Sequence, residues 1–391
     1  MSVSVRVLSS EEHLAFIRSR PSASFLQTPA WARVKTEWRA ESLGLFEEAN
    51  GAQTLIGATL VLHRPVPKLR KYTLAYLPEG PTLDWGRPLS EWIDPLTAHL
   101  KKNGAFGVRM GPPVPTATWS ADQVKQGIAD EAVQRLGQIP PTQRSDIGAR
   151  VVSQLRSAGW RLQSPEDGFG AGQPQYTFEI PLTDADGNAR TEDDVLKGMN
   201  QLWRRNIKKA DKEGVEVTVV TPASAGSDAA FQEHLAAFHD LYVHTAERDH
   251  FTPRPLSYFR TMFAAMSAEE PDRISLFLAR HEGDLVAATI LVRVGGHAWY
   301  SYGASSTEKR DVRGSNALQW AMIRSSLAAG CHVYDLRGIT PTLDAEDSHV
   351  GLIQFKVGTG GQAVEYVGEW DLPLRPAIYK AFDLYMTRRA R

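Results

Sequence analysis

Ile56-Gly57-Ala58-Thr59-Leu60-Val61-Leu62 and Val286-Ala287-Ala288-Thr289-Ile290-Leu291-Val292 are two versions of one apolar strand, 230 residues apart at Ala58 and Ala288. Outward from each copy the pattern continues. A second strand ends at Tyr76 or Tyr302, a helical stretch closes at Gly104 or Gly330, and a third strand starts at Ala105 or Cys331. Tyrosine to tyrosine and glycine to glycine are both 226 residues apart. Glycine just past a periodic stretch is an ordinary helix stop. A strand-strand-helix-strand unit present twice predicts an α/β (α+β) protein of two similar lobes. Two such lobes form a central cleft, and clefts are common ligand sites.

Bulk properties agree. A length of 391 residues suits two or three domains, and 42% apolar with 23% charged residues suits a globular chain with a real core. The formal net charge of −1 excludes a general electrostatic trap for nucleic acid, so an anionic ligand must meet local Lys and Arg clusters. The single cysteine, Cys331, excludes an internal disulfide and a thiolate metal cage. Met1 to Arg20 carries scattered charges without the apolar run of a signal peptide. No stretch approaches the roughly 20 apolar residues of a membrane span. The sequence predicts a cytoplasmic protein.

The first lobe is expected over 1–173, with a helical insert at about 112–160 and completion by the C-terminal segment 362–391. The second lobe is expected over 174–361, after a Gly/Pro-rich linker at 164–174. Ser9 or Ser10 is placed to cap a helix, with Glu12 set for a capping box, and Thr191 to cap another. A long amphipathic helix is expected over 228–249.

Three motifs bear on chemistry. Gly314-Ser315-Asn316-Ala317 opens a helix behind Arg310 and Arg313, an arrangement suited to an anion. Asp311, however, stands at a position where it would repel a pyrophosphate, which disfavours CoA. In Trp203-Arg204-Arg205-Asn206-Ile207-Lys208-Lys209-Ala210, residues Leu202, Asn206 and Ala210 share a helical face predicted to point inward. Arg204, Arg205, Lys208, Lys209 and Lys212 then point largely outward, as a solvated face or as partners of RNA phosphates. Ile353-Gln354-Phe355-Lys356-Val357 is expected as a strand running into the turn Gly358-Thr359-Gly360-Gly361. A lysine inside it either snorkels outward or serves a site, since a buried ammonium costs several kcal/mol unless paired. Asp344, Glu346, Asp347 and His349 lack metal-ligand spacing and are expected as a solvated loop, with no metal site. His239 and His244, on the long helix, are expected to be structural.

Together these pieces resemble the FemABX family of peptidoglycan aminoacyltransferases. The residues that carry the resemblance are Phe25-Leu26-Gln27-Thr28-Pro29-Ala30-Trp31 with Lys35, Arg205 through Ala210, Tyr302-Gly303-Ala304, Ser315 through Trp320, Tyr334-Asp335-Leu336-Arg337-Gly338, and Gly351 through Gly361. The resemblance implies two tandem GNAT-like lobes without a cofactor and with no coiled-coil arm. It implies transfer of glycine, alanine or serine from aminoacyl-tRNA, the co-substrate, to the side-chain amine of a peptidoglycan stem peptide. The acceptor would be lipid II or UDP-MurNAc-pentapeptide, handled by a monomer in peripheral contact with the inner face of the membrane. Lys35 and Arg254 are expected on the precursor's diphosphate, Tyr258 and Tyr302 along its groove, and Phe355 with Lys356 at the aminoacyl ester. One departure is Gly111, where many relatives carry an acidic residue before proline, so no general base is assigned there. The alternatives are a tRNA-dependent amide-forming enzyme of natural-product or resistance metabolism, an acyl-CoA N-acetyltransferase, and a catalytically silent binding scaffold.

Overall fold

Strand gives way to helix at Ser9, whose hydroxyl accepts the Glu12 backbone N–H at 3.1 Å while the Glu12 carboxylate takes the Ser9 N–H at 2.8 Å. This reciprocal cap satisfies donors that a helix start otherwise leaves orphaned. It joins β1 (Ser2–Val7) to α1 (Ser10–Arg18). The structure is a computed structural model and describes residues 2–66, 69–163, 172–344, 346–347 and 349–390. Residues 164–171 of the expected linker lie outside these. After α2 (Pro29–Val34) come β2 (Arg39–Ala49), β3 (Ala52–Val66), β4 (Leu69–Leu77) and β5 (Thr82–Leu83). Then follow α3 (Ile93–Lys102), β6 (Ala105–Met110), β7 (Pro115–Ser120), α4 (Ala121–Ala129), β8 (Gln143–Arg144), α5 (Asp146–Ser157) and β9 (Arg161–Leu162). The chain continues through β10 (Tyr176–Pro181), α6 (Glu192–Gly198), α7 (Gln201–Lys212), β11 (Glu216–Val220), α8 (Asp228–Asp249) and α9 (Leu256–Glu269). Next are β12 (Ile274–His281), β13 (Asp284–Val294), β14 (His297–Ser305), α10 (Gly314–Ala328) and β15 (Val333–Ile339). It finishes with α11 (Val350–Val357), β16 (Gln362–Tyr366), β17 (Trp370–Pro373) and α12 (Pro376–Ala390).

Two compact units result: residues 1–118, 143–175 and 365–391, and residues 119–142 with 176–364. The insert read at about 112–160 is divided between them. Helix α5 stays with the first unit, but α4 belongs to the second. There the Ala121 N–H donates to Gly361 O at 3.0 Å, Leu136 N–H to Pro341 O at 2.8 Å, and Leu343 N–H to Gln134 O at 2.7 Å.

In the first unit the sheet runs β1-β2-β3-β4-β6-β17-β9, with β5 paired to β3. Helix α3 spaces Ile93, Leu96 and Leu100 on one face, the pattern of a helix packed on a core. They bury with Val61, Ala75 and Val108 of the sheet and Val151 and Leu155 of α5. In the second unit β11-β12-β13-β14-β15-β10-β16 lie in that order, with β14 and β15 parallel. Helix α8 fills 228–249, as its pattern predicts, opening at the Ser227 cap and ending on His250 in the left-handed region, φ 57°. Cys331, 3% exposed, precedes β15.

The α/β expectation of two tandem lobes therefore holds, and no coiled-coil arm is present among the described residues. Among those residues, too, no helix is long and apolar enough to cross a membrane.

Candidate active site

The segment expected as a strand at 353–357 is helix α11, whose buried face is Ile353, Lys356 and Val357. That three-then-one spacing is helical; the β-branched and aromatic composition pointed the other way. Two glycines then let α11 close onto its neighbours. A Cβ on Gly358 would collide with the Trp203 indole, and Gly360 takes φ 76°. The Trp203 Nε1–H donates to Phe355 O at 2.8 Å, and the two rings lie 4.8 Å apart.

Lys356 does not snorkel. Only 4% exposed, its Nζ donates to Gly338 O at 2.7 Å and to Arg337 O at 3.1 Å. Burial pushes the ammonium down to about 7, with Arg337 adding to the fall and the Asp335 carboxylate opposing it. Asp335 itself is 2% exposed. Burial acts to raise it, but His297 and the Arg337 guanidinium hold it below its usual value.

Tyr258, on α9, and Tyr302, on β14, share a hydrogen bond at 3.0 Å between their hydroxyls. The Arg254 guanidinium lies 5.4 Å from the Tyr258 ring centre. Phe259 meets Tyr302 edge-to-face at 5.1 Å, and Tyr242 does so at 6.2 Å, so aromatic packing sets the Tyr302 ring. His239 is structural, as expected: its Nε2 lies 3.0 Å from Arg254 O and fixes the loop that carries Arg254.

Backbone geometry adds what the motifs did not reveal. Ala288 pairs with Ala304 and Ile290 with Ser301, leaving Thr289 opposite both Tyr302 and Gly303. Thr177 pairs with Gly338 and Glu179 with Asp335, leaving Phe178 opposite both Leu336 and Arg337. Each is a β-bulge, a feature enriched beside functional sites. Each also holds a non-glycine residue in the left-handed region, Tyr302 at φ 53° and Arg337 at φ 64°. Such conformers cost about 1–2 kcal/mol apiece.

The basic helix is turned by about one residue from its expected register. Trp203 and Ala210 are buried, while Leu202 is 59% exposed. The indole offers more apolar area to bury than leucine. Arg204 is drawn back, donating to Met199 O at 2.7 Å and to Lys197 O at 3.2 Å, which corrects its expected outward position. Arg205 and Lys208 are exposed and Lys209 is half-buried. Between α7, α11 and the start of α10 lies a cavity of about 440 Å³. Trp203, Asn206, Phe355, Lys309, Arg310 and Arg313 contribute to its wall.

Lys35 belongs to the first unit and ends α2, its Nζ 5.5 Å from the Trp31 ring centre and 3.9 Å from Glu37. Arg254, Tyr258, Tyr302, Phe355 and Lys356 belong to the second. Sequence reasoning missed Glu179, His297 and Asp335, whose potential ligand atoms lie within 4.8 Å of one another among the described residues. They come from three strands, so no spacing could group them. Asp335 already accepts the Arg337 N–H, and the Thr177 hydroxyl donates to Glu179 at 3.3 Å. Of the three, Asp335 is the counter-charge of the buried Lys356 and of the half-buried Arg337 guanidinium.

The FemAB family model matches residues 8–280 and 269–386. Lipid II:glycine glycyltransferase of Staphylococcus epidermidis is 23% identical over 435 residues, covering 95% of this chain and 93% of that protein. Its counterpart in Staphylococcus aureus strain MRSA252 is 22% identical over 448 residues, covering 96% and 94%. Among solved structures, FemX superposes with a TM-score of 0.76 at 22% identity, over 97% of this chain and 99% of that one. A tandem GNAT protein from the clavulanic acid biosynthesis pathway, solved without AcCoA, gives 0.50 at 13% identity, over 95% and 98%. Both structural likenesses are likenesses of fold.

Proposed function

This chain belongs to the FemAB family, and from that premise we propose that it is an aminoacyltransferase moving glycine, alanine or serine from aminoacyl-tRNA to the side-chain amine of a peptidoglycan stem peptide. The curated relatives, named lipid II:glycine glycyltransferases, support a lipid II-type acceptor. The observation that carries the chemistry is Lys356, buried against the strained bulge at Arg337 with its Nζ fixed by two carbonyls.

The acceptor nitrogen, as free amine, attacks the ester carbonyl carbon. A C–N bond forms, the C–O bond to the ribose breaks, and one amine proton ends on the ribose oxygen. Charge gathers on the carbonyl oxygen between these events, and a preorganised cation there stabilises the transition state more than water would. Lys356 supplies it, with Phe355 holding the ester end beside the Trp203 ring. Arg254 suits the precursor's diphosphate by charge and hydrogen bonding, and Tyr258 with Tyr302 line its path; Lys35, in the first unit, carries a charge of the same kind. Arg205, Lys208 and Lys209 suit tRNA phosphates. The cavity between α7, α10 and α11 joins basic and aromatic groups, the combination that holds a single-stranded nucleic-acid end.

The test gives purified protein each aminoacyl-tRNA together with lipid II or UDP-MurNAc-pentapeptide, and weighs the products by mass spectrometry. A stem peptide longer by one residue is expected. No extension with any glycyl-, alanyl- or seryl-tRNA on either acceptor would sink the proposal. A second reading, an acyl-CoA N-acetyltransferase, is favoured by one observation: α10 starts without a side-chain cap, beside Arg310 and Arg313. Calorimetric binding of CoA would select it over the first.

A further inference from the structure

In the second unit, β14 and β15 pair only at His297 with Val333, Ala298 with Tyr334 and Trp299 with Asp335. Past that point both strands bulge. Adjacent carbonyls on a regular strand point to opposite sides. Those of Arg337 and Gly338 instead converge on Lys356 Nζ, at 3.1 and 2.7 Å. The left-handed turn at Arg337, φ 64°, makes this convergence geometrically available. Asp335 holds the turn, its Oδ1 accepting the Arg337 backbone N–H at 2.5 Å.

We propose that Asp335 and Arg337 are positioning residues for Lys356, the capped bulge between them aiming Nζ at the ester carbonyl. The proposal rests on the aminoacyl-transfer reading, in which Lys356 is the stabilising cation. Asp335 acts twice, as the cap of the bulge and as a counter-charge of the ammonium. Arg337 also acts twice, through a backbone that supplies an acceptor and a guanidinium that repels the ammonium. The other titratable groups around this point, among the described residues, include His297, whose Nε2 lies 3.5 Å from Asp335 Oδ2, and Glu179. Helix α4, packed on α11, buries only Val124 and Gly127 and leaves Asp122 and Lys125 exposed.

The two roles predict opposite signs. Asp335→Asn keeps an oxygen for the Arg337 N–H but loses the charge, so Lys356 titrates at lower pH. Arg337→Gly accepts positive φ without strain and loses the guanidinium, so Lys356 titrates at higher pH. Each midpoint is followed by NMR on protein labelled with 13C at lysine Cε, the Lys356 signal being the one missing from Lys356→Met. Arg337→Val, whose branched side chain resists the left-handed region, is expected to lower kcat at least tenfold with KM within threefold. Midpoints that move apart, together with that kcat loss, support the proposal. Midpoints that stay put or move the same way overturn it, as does unchanged kcat in Arg337→Val. Full turnover by Lys356→Met would instead remove the transfer role of Lys356, a failure the NMR midpoints do not share.

Discussion

The two copies of the strand-strand-helix-strand motif part company at their third strand. In the first unit the parallel ladder between β4 and β6 runs from Thr73 with Ala105, skips Phe106, and then holds pair by pair to Leu77 with Met110, the last residues of both strands. In the second, β14 and β15 hold three pairs and then separate. Tyr76 and Tyr302 stand 226 residues apart, as do Gly111 and Arg337. Tyr76 lies in the unbroken part of its ladder, Leu74 to Leu77, and donates to Glu369 Oε1 at 2.7 Å, while Tyr302 is twisted to φ 53° and meets Tyr258. Gly111 leaves room for another element's carboxyl, since a Cβ there would lie 2.6 Å from Glu369 Cγ. Arg337 fills its own place under strain. One motif thus yields a half whose third strand stays paired to its end and a half whose third strand parts early and takes the buried Lys356 ammonium on its freed carbonyls.

The sharpest challenge to this contrast is Lys356→Met. Loss of the cation should cut turnover about 100-fold or more, the scale of losing one oxyanion-stabilising donor. A single-turnover assay with charged tRNA measures it. If a substitution in the Tyr76–Glu369 pair cost as much in kcat while Lys356→Met cost little, the halves would have exchanged roles.

Glu369→Gln tests the half whose third strand stays paired. Burial pushes the Glu369 carboxyl up to about 7, against the stabilising pull of the Tyr76 hydroxyl and Arg109. A carboxyl raised in the folded state contributes stability fully present below its unfolded value and lost as pH rises through the folded one. Between pH 4.5 and 7 the parent should lose about 3 kcal/mol from this group. Glu369→Gln should flatten that slope in urea titrations and be the more stable protein at pH 8. Smaller in size is Gly111→Ala, which forces a methyl against Glu369 and should cost about 1–3 kcal/mol by overpacking. A lower thermal midpoint with wild-type KM for tRNA would confine its effect to the first unit. Smallest are the matched caps Ser9→Ala and Thr191→Ala, one per unit, each expected to cost about 1 kcal/mol. A tenfold disparity between their unfolding constants would show that the units do not tolerate local damage alike.

Sequence made the repeat, the caps and α8 legible because each is written in neighbouring residues. It misread α11, since Ile353, Phe355 and Val357 favour a strand on local propensity, against the helical spacing of Ile353, Lys356 and Val357 and the packing on Trp203. It turned α7 by a residue because periodicity alone does not weigh an indole against a leucine. The bulges at Tyr302 and Arg337 left only faint marks, the glycines at 303 and 338. The Glu179–His297–Asp335 cluster and the Glu369–Gly111 contact join residues far apart in the chain, which one sequence read alone cannot pair.

The burial of Cys331 has a practical consequence. The chain has one thiol, it lies in the second unit, and its packing raises it above the usual thiol range. A soluble disulfide reagent should therefore react slowly with the native protein, and a faster reaction when that unit opens reports on the excursion. The half that carries the strained strands comes with its own reporter, while the other half stays silent.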